Sequence, residues 1–271
     1  MDARRTSLLL CCVLVATSAH ALSPDTKDAR AIMRGVFESN GAARSRARMK
    51  MTIRDGLGTR ERTLQTRSLR FEGGRKNLLL IEAPADVRGT GFLSIDYDAG
   101  SRADEQWLYL PKLHRVTRVP ASGKSDAFVG SDFSYADLSQ QDPDDFELKL
   151  LSPSVDVAGE DCWLIEALPK RPRVAEETGY AKSQIWISKA KLVPLQIKAW
   201  VGLATSTRIK YFKASDVRKI DGVWTSHRLQ MRTLDGQTVA SETTIDVSDA
   251  SNAAADVDDA EFTQQRLERG L

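Results

Sequence analysis

Apolar residues recur at every second position along most of this chain, in short runs broken by glycine-containing turns, and that rhythm limits what it can fold into. Ala47, Met49, Met51 and Ile53 alternate with Arg46, Arg48, Lys50 and Thr52 before the turn Asp55-Gly56-Leu57-Gly58. This is the pattern of a strand with one buried face. Similar runs occupy residues 76–83, 91–98, 106–110 and 115–119, and then 146–152, 155–157, 162–168, 183–188, 193–201, 205–212, 223–233 and 238–247. Gly73-Gly74, Gly159-Glu160, Asp221-Gly222 and Asp235-Gly236 punctuate them. Parallel strands need crossovers of about a dozen residues or more, and few stretches here leave room for them. The spacing predicts about a dozen antiparallel strands joined by hairpins.

Three segments depart from period two. Residues 25–40 carry Ala29, Ile32, Met33, Val36 and Phe37 at helical spacing, with Ser23-Pro24-Asp25 in front and Gly41 behind, which predicts one amphipathic helix. Residues 121–145 are rich in Ser, Asp and Gly yet hold Phe128, Phe133, Tyr135 and Leu138. A loop of that length inside a compact domain is usually functional or mobile. Residues 170–179 form a shorter, charged excursion.

The amino terminus gives an address. Arg4 and Arg5 precede the apolar run 8–15, and Ala19-His20-Ala21 ends it with small residues where a signal peptidase reads them. Residues 1–21 are expected to be a cleaved signal peptide and 22–271 a single periplasmic domain. The apolar run is too short for a membrane anchor, which needs about 20 residues. Cleavage leaves 37 basic and 36 acidic residues, a balance that gives no support to bulk nucleic-acid binding. Of the cysteines only Cys162 remains, so no internal disulfide is expected and the core must stabilise the fold.

Residues that would carry chemistry are sparse. His114 and His227 share no metal-ligand spacing with each other or with Cys162, and Asp142, Asp144, Asp145 and Glu147 lack the ordered spacing of a calcium loop. No Gly-x-Ser-x-Gly elbow, phosphate-binding loop or dinucleotide fingerprint occurs. Cys162 beside Trp163 is read as a small buried hydrophobe. No metal, cofactor or catalytic residue is expected, and the chain is not read as an enzyme.

Charge is unevenly spread. Residues 44–76 hold eleven Arg or Lys against three Asp or Glu, whereas 132–147 and 246–261 each hold six acids and no base. The basic stretch is either a face for anionic lipid or an acidic partner, or the solvated side of half-buried strands. Aromatic residues gather between Phe92 and Tyr135, and they either line a cavity or fill a core.

The stretch Trp107-Leu108-Tyr109-Leu110-Pro111-Lys112-Leu113-His114-Arg115-Val116, followed by Phe128-Val129-Gly130-Ser131-Asp132-Phe133-Ser134-Tyr135-Ala136-Asp137-Leu138, resembles the outer-membrane lipoprotein-sorting (LolA-like) superfamily in its periplasmic branch. Trp186-Ile187-Ser188, Leu192-Val193-Pro194-Leu195, Asp221-Gly222-Val223-Trp224 and Phe262-Thr263 agree in order and spacing. The resemblance implies a mainly β fold: an unclosed, strongly curved antiparallel sheet, a half-barrel wrapped around helices, with an apolar cavity. It implies a carrier of lipids or of lipoprotein acyl chains toward the outer membrane, with transient membrane contact. The alternative is a non-enzymatic adaptor of an inner-membrane RND-type export system, docking through Arg46, Arg48 and Lys50. Face alternation nominates Met49, Met51, Ile53, Trp107, Tyr109, Ile185, Ile187, Leu195 and Ile197 as cavity residues, and Phe128, Phe133 and Tyr135 as the lid.

Overall fold

The computed structural model describes residues 22–39, 41–98 and 102–269, so the signal-like segment 1–21 lies outside the described residues. The first helix, α1, spans Ala29–Ser39. It begins later than the periodicity suggests because Asp28 caps it, its carboxylate accepting from the amides of Arg30 at 2.9 Å and Ala31 at 3.1 Å. Ile32 and Val36, one turn apart, are the buried stripe.

The strands follow as β1 (Arg44–Asp55), β2 (Gly58–Phe71), β3 (Gly74–Ala83), β4 (Gly91–Tyr97), β5 (Glu105–Leu110), β6 (Arg115–Arg118), β7 (Phe146–Val157) and β8 (Glu160–Pro169). After the short helix α2 (Pro172–Thr178) come β9 (Tyr180–Ser188), β10 (Pro194–Val201), β11 (Arg208–Ile220), β12 (Val223–Asp235) and β13 (Thr238–Ser251), and α3 (Gln264–Arg269) closes the chain. All 13 strands form one curved antiparallel sheet ordered β6-β5-β4-β3-β2-β1-β13-β12-β11-β10-β9-β8-β7, and it does not close into a barrel. The chain therefore starts mid-sheet, meanders to one edge at β6, crosses to the other edge at β7, and meanders back until β13 pairs with β1. Residues 119–145 make that crossing.

Several strands depart from the alternation pattern. β2 carries Arg, Thr and Gln where a half-buried strand would show aliphatics, yet it pairs along its length with β1 and β3. The runs 146–152 and 155–157 are one strand, β7, with register shifts near Ser152 that interrupt the period. The excursion 170–179 is α2, ended by Gly179 at φ 75°, a left-handed cap that glycine adopts without strain.

Cross-strand partners share a face, and one apolar row runs across eight strands: Leu150, Ile165, Ile185, Ile197, Phe212, Met231, Thr243 and Ile53 are paired in succession. This is the inner face. At the β7–β9 side α1 covers it, packing Ala29, Ile32 and Val36 on Trp163, Ile165 and Ile187. The outer face near β3–β5 is covered by the carboxy-terminal segment, with Ala254, Val257, Phe262 and Leu267 on Leu69, Leu78, Leu80 and Leu93.

That segment also accounts for the uneven charge. Arg46 meets Asp256 at 3.3 Å, Arg67 meets Glu261 at 3.1 Å and Lys76 meets Asp259 at 2.5 Å, so the acidic 246–261 stretch neutralises part of the basic 44–76 stretch within the molecule. Arg48 pairs with Glu82 at 3.0 Å and Lys50 with Glu61 at 2.8 Å. The three bases nominated for partner docking each have an internal acid. The largely exposed pairs of Arg46, Arg48 and Lys50 contribute little stability, about 1 kcal/mol or less each, and burial carries the fold. Ile32 is fully buried between α1 and the sheet, so Ile32→Ala should lower unfolding free energy by about 3 kcal/mol in urea titration.

Candidate functional site

Beside the apolar row on the inner face lies a row of different character: Ala167, Ser183, Ala199, Lys210, Thr233 and Ser241, again paired strand to strand from β8 to β13. Three small side chains next to Ile185, Ile197 and Phe212 leave space. α1 presents Met33, Val36 and Phe37 to it, and the crossing segment presents Phe133, Ala136 and Gln140. The result is a cavity of about 430 Å³. Small-molecule sites commonly occupy about 300–1,000 Å³ with mostly apolar walls and a few placed polar groups.

The crossing segment enters the sheet's interior as a plug. Phe128 and Phe133 are buried, and Phe128, Tyr135 and Phe92 of β4 form a three-ring cluster with centroids 5.5–5.8 Å apart. Phe133 meets Phe212 edge-on at 6.5 Å. At the tip, Val129 adopts φ 45°, a left-handed conformation that a β-branched residue adopts only when its surroundings hold it there.

What holds it is Asp132. Its buried carboxylate accepts from the hydroxyls of Thr233 at 2.5 Å, Thr243 at 2.7 Å and Ser241, and its amide donates to Thr243 Oγ1 at 2.9 Å. The plug is thus fastened to β12 and β13 by a carboxylate whose lone pairs are met by strand hydroxyls. Hydrogen bonds to a charged group count for more than neutral ones. Five residues later Asp137 makes a second fastening: it accepts from Ser134 N at 2.8 Å and from the Tyr180 hydroxyl at 2.9 Å, and it lies 3.8 Å from the Lys210 ammonium. Burial, with the Asp137 charge, pushes the Tyr180 phenol well above its ordinary value, so it stays a donor. Burial lowers the Lys210 ammonium, and Asp137 partly offsets that.

The plug's far end rests on a narrower crevice. Gln106 donates to Ser139 Oγ at 2.6 Å and to Tyr135 O at 3.3 Å. Asp96, almost fully buried, accepts from Asn77 at 3.0 Å and from Gln140 N at 3.4 Å, both on Oδ2, while Oδ1 has no partner. Burial, and next the nearby Asp104 carboxylate, push Asp96 up to about 7.

The structure separates the nominated residues. Ile185, Ile197 and Phe133 line the cavity. Ile187 is buried under α1. Met49, Met51 and Ile53 are on the inner face but pack with Phe128 and Tyr135 in the neighbouring cluster. Trp107 and Tyr109 sit on the outer face, opposite Leu93 and Gly91 and beneath the carboxy-terminal segment, because Gln106 and Leu108 take the inward positions of β5. Leu195 is turned outward against Val157 and Cys162. A register shift between Pro194 and Gln196 breaks the alternation that would have placed it beside Ile197. Alternation nominated none of Ala167, Ser183, Ala199 or Lys210, although Ala199 and Lys210 stand two positions from Ile197 and Phe212.

Among the described residues no three of His, Cys, Asp and Glu are placed to hold a metal ion, and no helix is long and apolar enough to cross a membrane. Cys162 is buried, which pushes its thiol up to about 11, away from the reactive thiolate.

Comparison with known proteins follows the architecture. A family model, described as an uncharacterized protein family (DUF1329), matches residues 73–269. No curated protein matches. Among solved structures, the chain is similar to a domain from Vibrio parahaemolyticus provisionally described as an outer membrane lipoprotein-sorting protein, at 28% identity and TM-score 0.78, covering 89% of this chain and 98% of that one. A DUF1329 family protein from Desulfovibrio piger is 27% identical at TM-score 0.79, with 91% and 100% covered. A LolA superfamily protein from Nitrosomonas europaea shares the fold at 18% identity and TM-score 0.64, over 88% of this chain and 98% of that one.

Asp132→Ala should leave two buried strand hydroxyls and one half-buried one without their acceptor, lowering stability by about 3 kcal/mol and speeding amide hydrogen exchange across 128–137 first. For Asp96 the raised folded value sets the sign. Its contribution is full below about pH 4 and lost as pH rises through about 7, because the unfolded carboxyl ionises first. The Asp96 contribution to the urea midpoint should therefore fall between about pH 4 and pH 7, and Asp96→Asn should flatten that slope.

Proposed function

We propose that this chain, a member of the DUF1329 family, is a LolA-like carrier that shelters lipids or lipoprotein acyl chains in its inner cavity and passes them toward the outer membrane. The observation that carries this reading is the pocket of about 430 Å³ over Ala167, Ser183 and Ala199, walled by Ile185, Ile197, Phe212 and Phe133. Close packing would otherwise fill such a volume with larger side chains. Each methylene moved from water into it is worth about 0.8 kcal/mol, so a chain of ten methylenes gains about 8 kcal/mol before the cost of immobilising it. That gain supports capture without any covalent step, in keeping with a non-enzymatic role.

Release needs the plug to move. Its aromatic rings supply much of the seal, while its polar fastenings, Asp132 and Asp137, are discrete contacts that can be given up one at a time. The basic start and apolar run 1–21 support export, and with residues 22–271 acting as one domain the carrier would work in the periplasm between two membranes.

The test is occupancy. Native mass spectrometry of gently purified protein should show co-purified lipid, and the apolar dye 1-N-phenylnaphthylamine should bind in competition with lipid extract. Ala199→Trp, which fills the cavity from its wall, should weaken dye binding at least tenfold while the unfolding midpoint shows the domain intact. Absence of both lipid and dye binding in the wild-type protein would sink the carrier reading.

A further inference from the structure

Lys210 is the one cation in the row of small and polar residues that floors the cavity. Its side chain is only 14% exposed, and its ammonium stands 3.8 Å from Asp137, beyond hydrogen-bond range. No described group accepts a hydrogen bond from it. It lies 5.6 Å from the ring centre of Tyr180, whose hydroxyl is already committed to Asp137. The half-buried ammonium carries three N–H donors, and in a mostly apolar pocket it has little beyond the cavity space itself to satisfy them. The neighbouring surface is small and apolar, from Ala199 beside it to Ala167 two strands further. A hydrocarbon chain laid along Ala199, Ser183 and Ala167 would bring its head to Lys210.

The charge balance says what kind of head fits. Lys210 faces Asp137 and, farther off, Asp132, with Arg208 the other nearby cation. Asp137 and Lys210 already neutralise one another, and Asp132 is satisfied by hydroxyls rather than by a cation. An anionic head would add negative charge beside two carboxylates. A neutral oxygen acceptor adds none, and it supplies what the ammonium lacks. Resting on the carrier reading, we infer that Lys210 selects ligands whose acyl chain ends in a neutral oxygen acceptor, such as an ester or amide carbonyl, over free carboxylates and plain hydrocarbons.

Displacement of bound 1-N-phenylnaphthylamine by methyl tetradecanoate, tetradecanoate and tetradecane, which share a similar chain, tests this. In the wild-type protein the methyl ester should displace the dye at about one tenth of the concentration the alkane needs, the increment expected of one charge-assisted hydrogen bond. The carboxylate should do no better than the ester. Lys210→Met should bring the ester to the alkane's level and leave the alkane unchanged, whereas Lys210→Gln, which keeps an N–H donor, should retain part of the preference. Equal displacement by ester and alkane in the wild-type protein, a carboxylate that outcompetes the ester, or an ester preference that survives Lys210→Met would each overturn the inference while leaving the carrier reading standing. If Lys210 served only to hold Asp137 and the plug, Lys210→Met would change all three displacements together, which also counts against it. Failure of the dye to bind at all sinks the carrier reading itself.

Discussion

An open sheet leaves an apolar inner face to be kept from water, and in this molecule the segment that joins its two edge strands covers much of it. The edge strands β6 and β7 are consecutive in sequence but lie at opposite ends of the sheet. The chain between them has to cross the interior, and it carries its aromatic residues inward as it goes. Asp132 decides whether that crossing is a plug or a loose strap. Without a partner, a carboxylate at that depth would cost several kcal/mol. Met by the hydroxyls of Thr233, Ser241 and Thr243, it fixes the segment against β12 and β13.

The cavity is a product of side-chain size as much as of curvature. The row beginning at Ile165 and the row beginning at Ala167 run beside each other on the same strands. The first builds a wall and the second leaves a hollow. α1 and the plug close it from either side, and Lys210 and Asp137 bring charge to its lining. A pocket of this composition sorts ligands first by the length of apolar chain and then by what stands at the end of it.

Much of the architecture is written in the sequence, and the limits have physical causes. Period two and the turn residues disclose an antiparallel sheet, and Ile32 with Val36 discloses the helix. The aromatics of 121–145 reveal an inward segment. Periodicity, however, says which residues share a face without saying which face is inner, so Trp107 and Tyr109 alternate as a cavity pair would while packing under the carboxy-terminal segment. A single register shift at Pro194 moves Leu195 across the sheet. β2 is obscured because its stability comes from partners on both sides rather than from its own residues. The cavity's defining residues are small, and an absence of bulk leaves no mark in a hydrophobic pattern. Asp132, in a Ser- and Asp-rich stretch, carries no mark of burial in the sequence, because its partners lie about a hundred residues away.

The seam between β1 and β13 has a kinetic meaning. Every other strand pair joins neighbours in sequence, except that one, which couples Arg46 to Ser251 across most of the chain. Local hairpins close early and distant pairs late, so two half-sheets can form and be bridged by the crossing segment before the seam is sewn. The plug would then be enclosed by the sheet as it assembles rather than inserted afterwards. The last strand in the chain completes the shell, and until it docks the interior stays open to whatever apolar molecule is nearest.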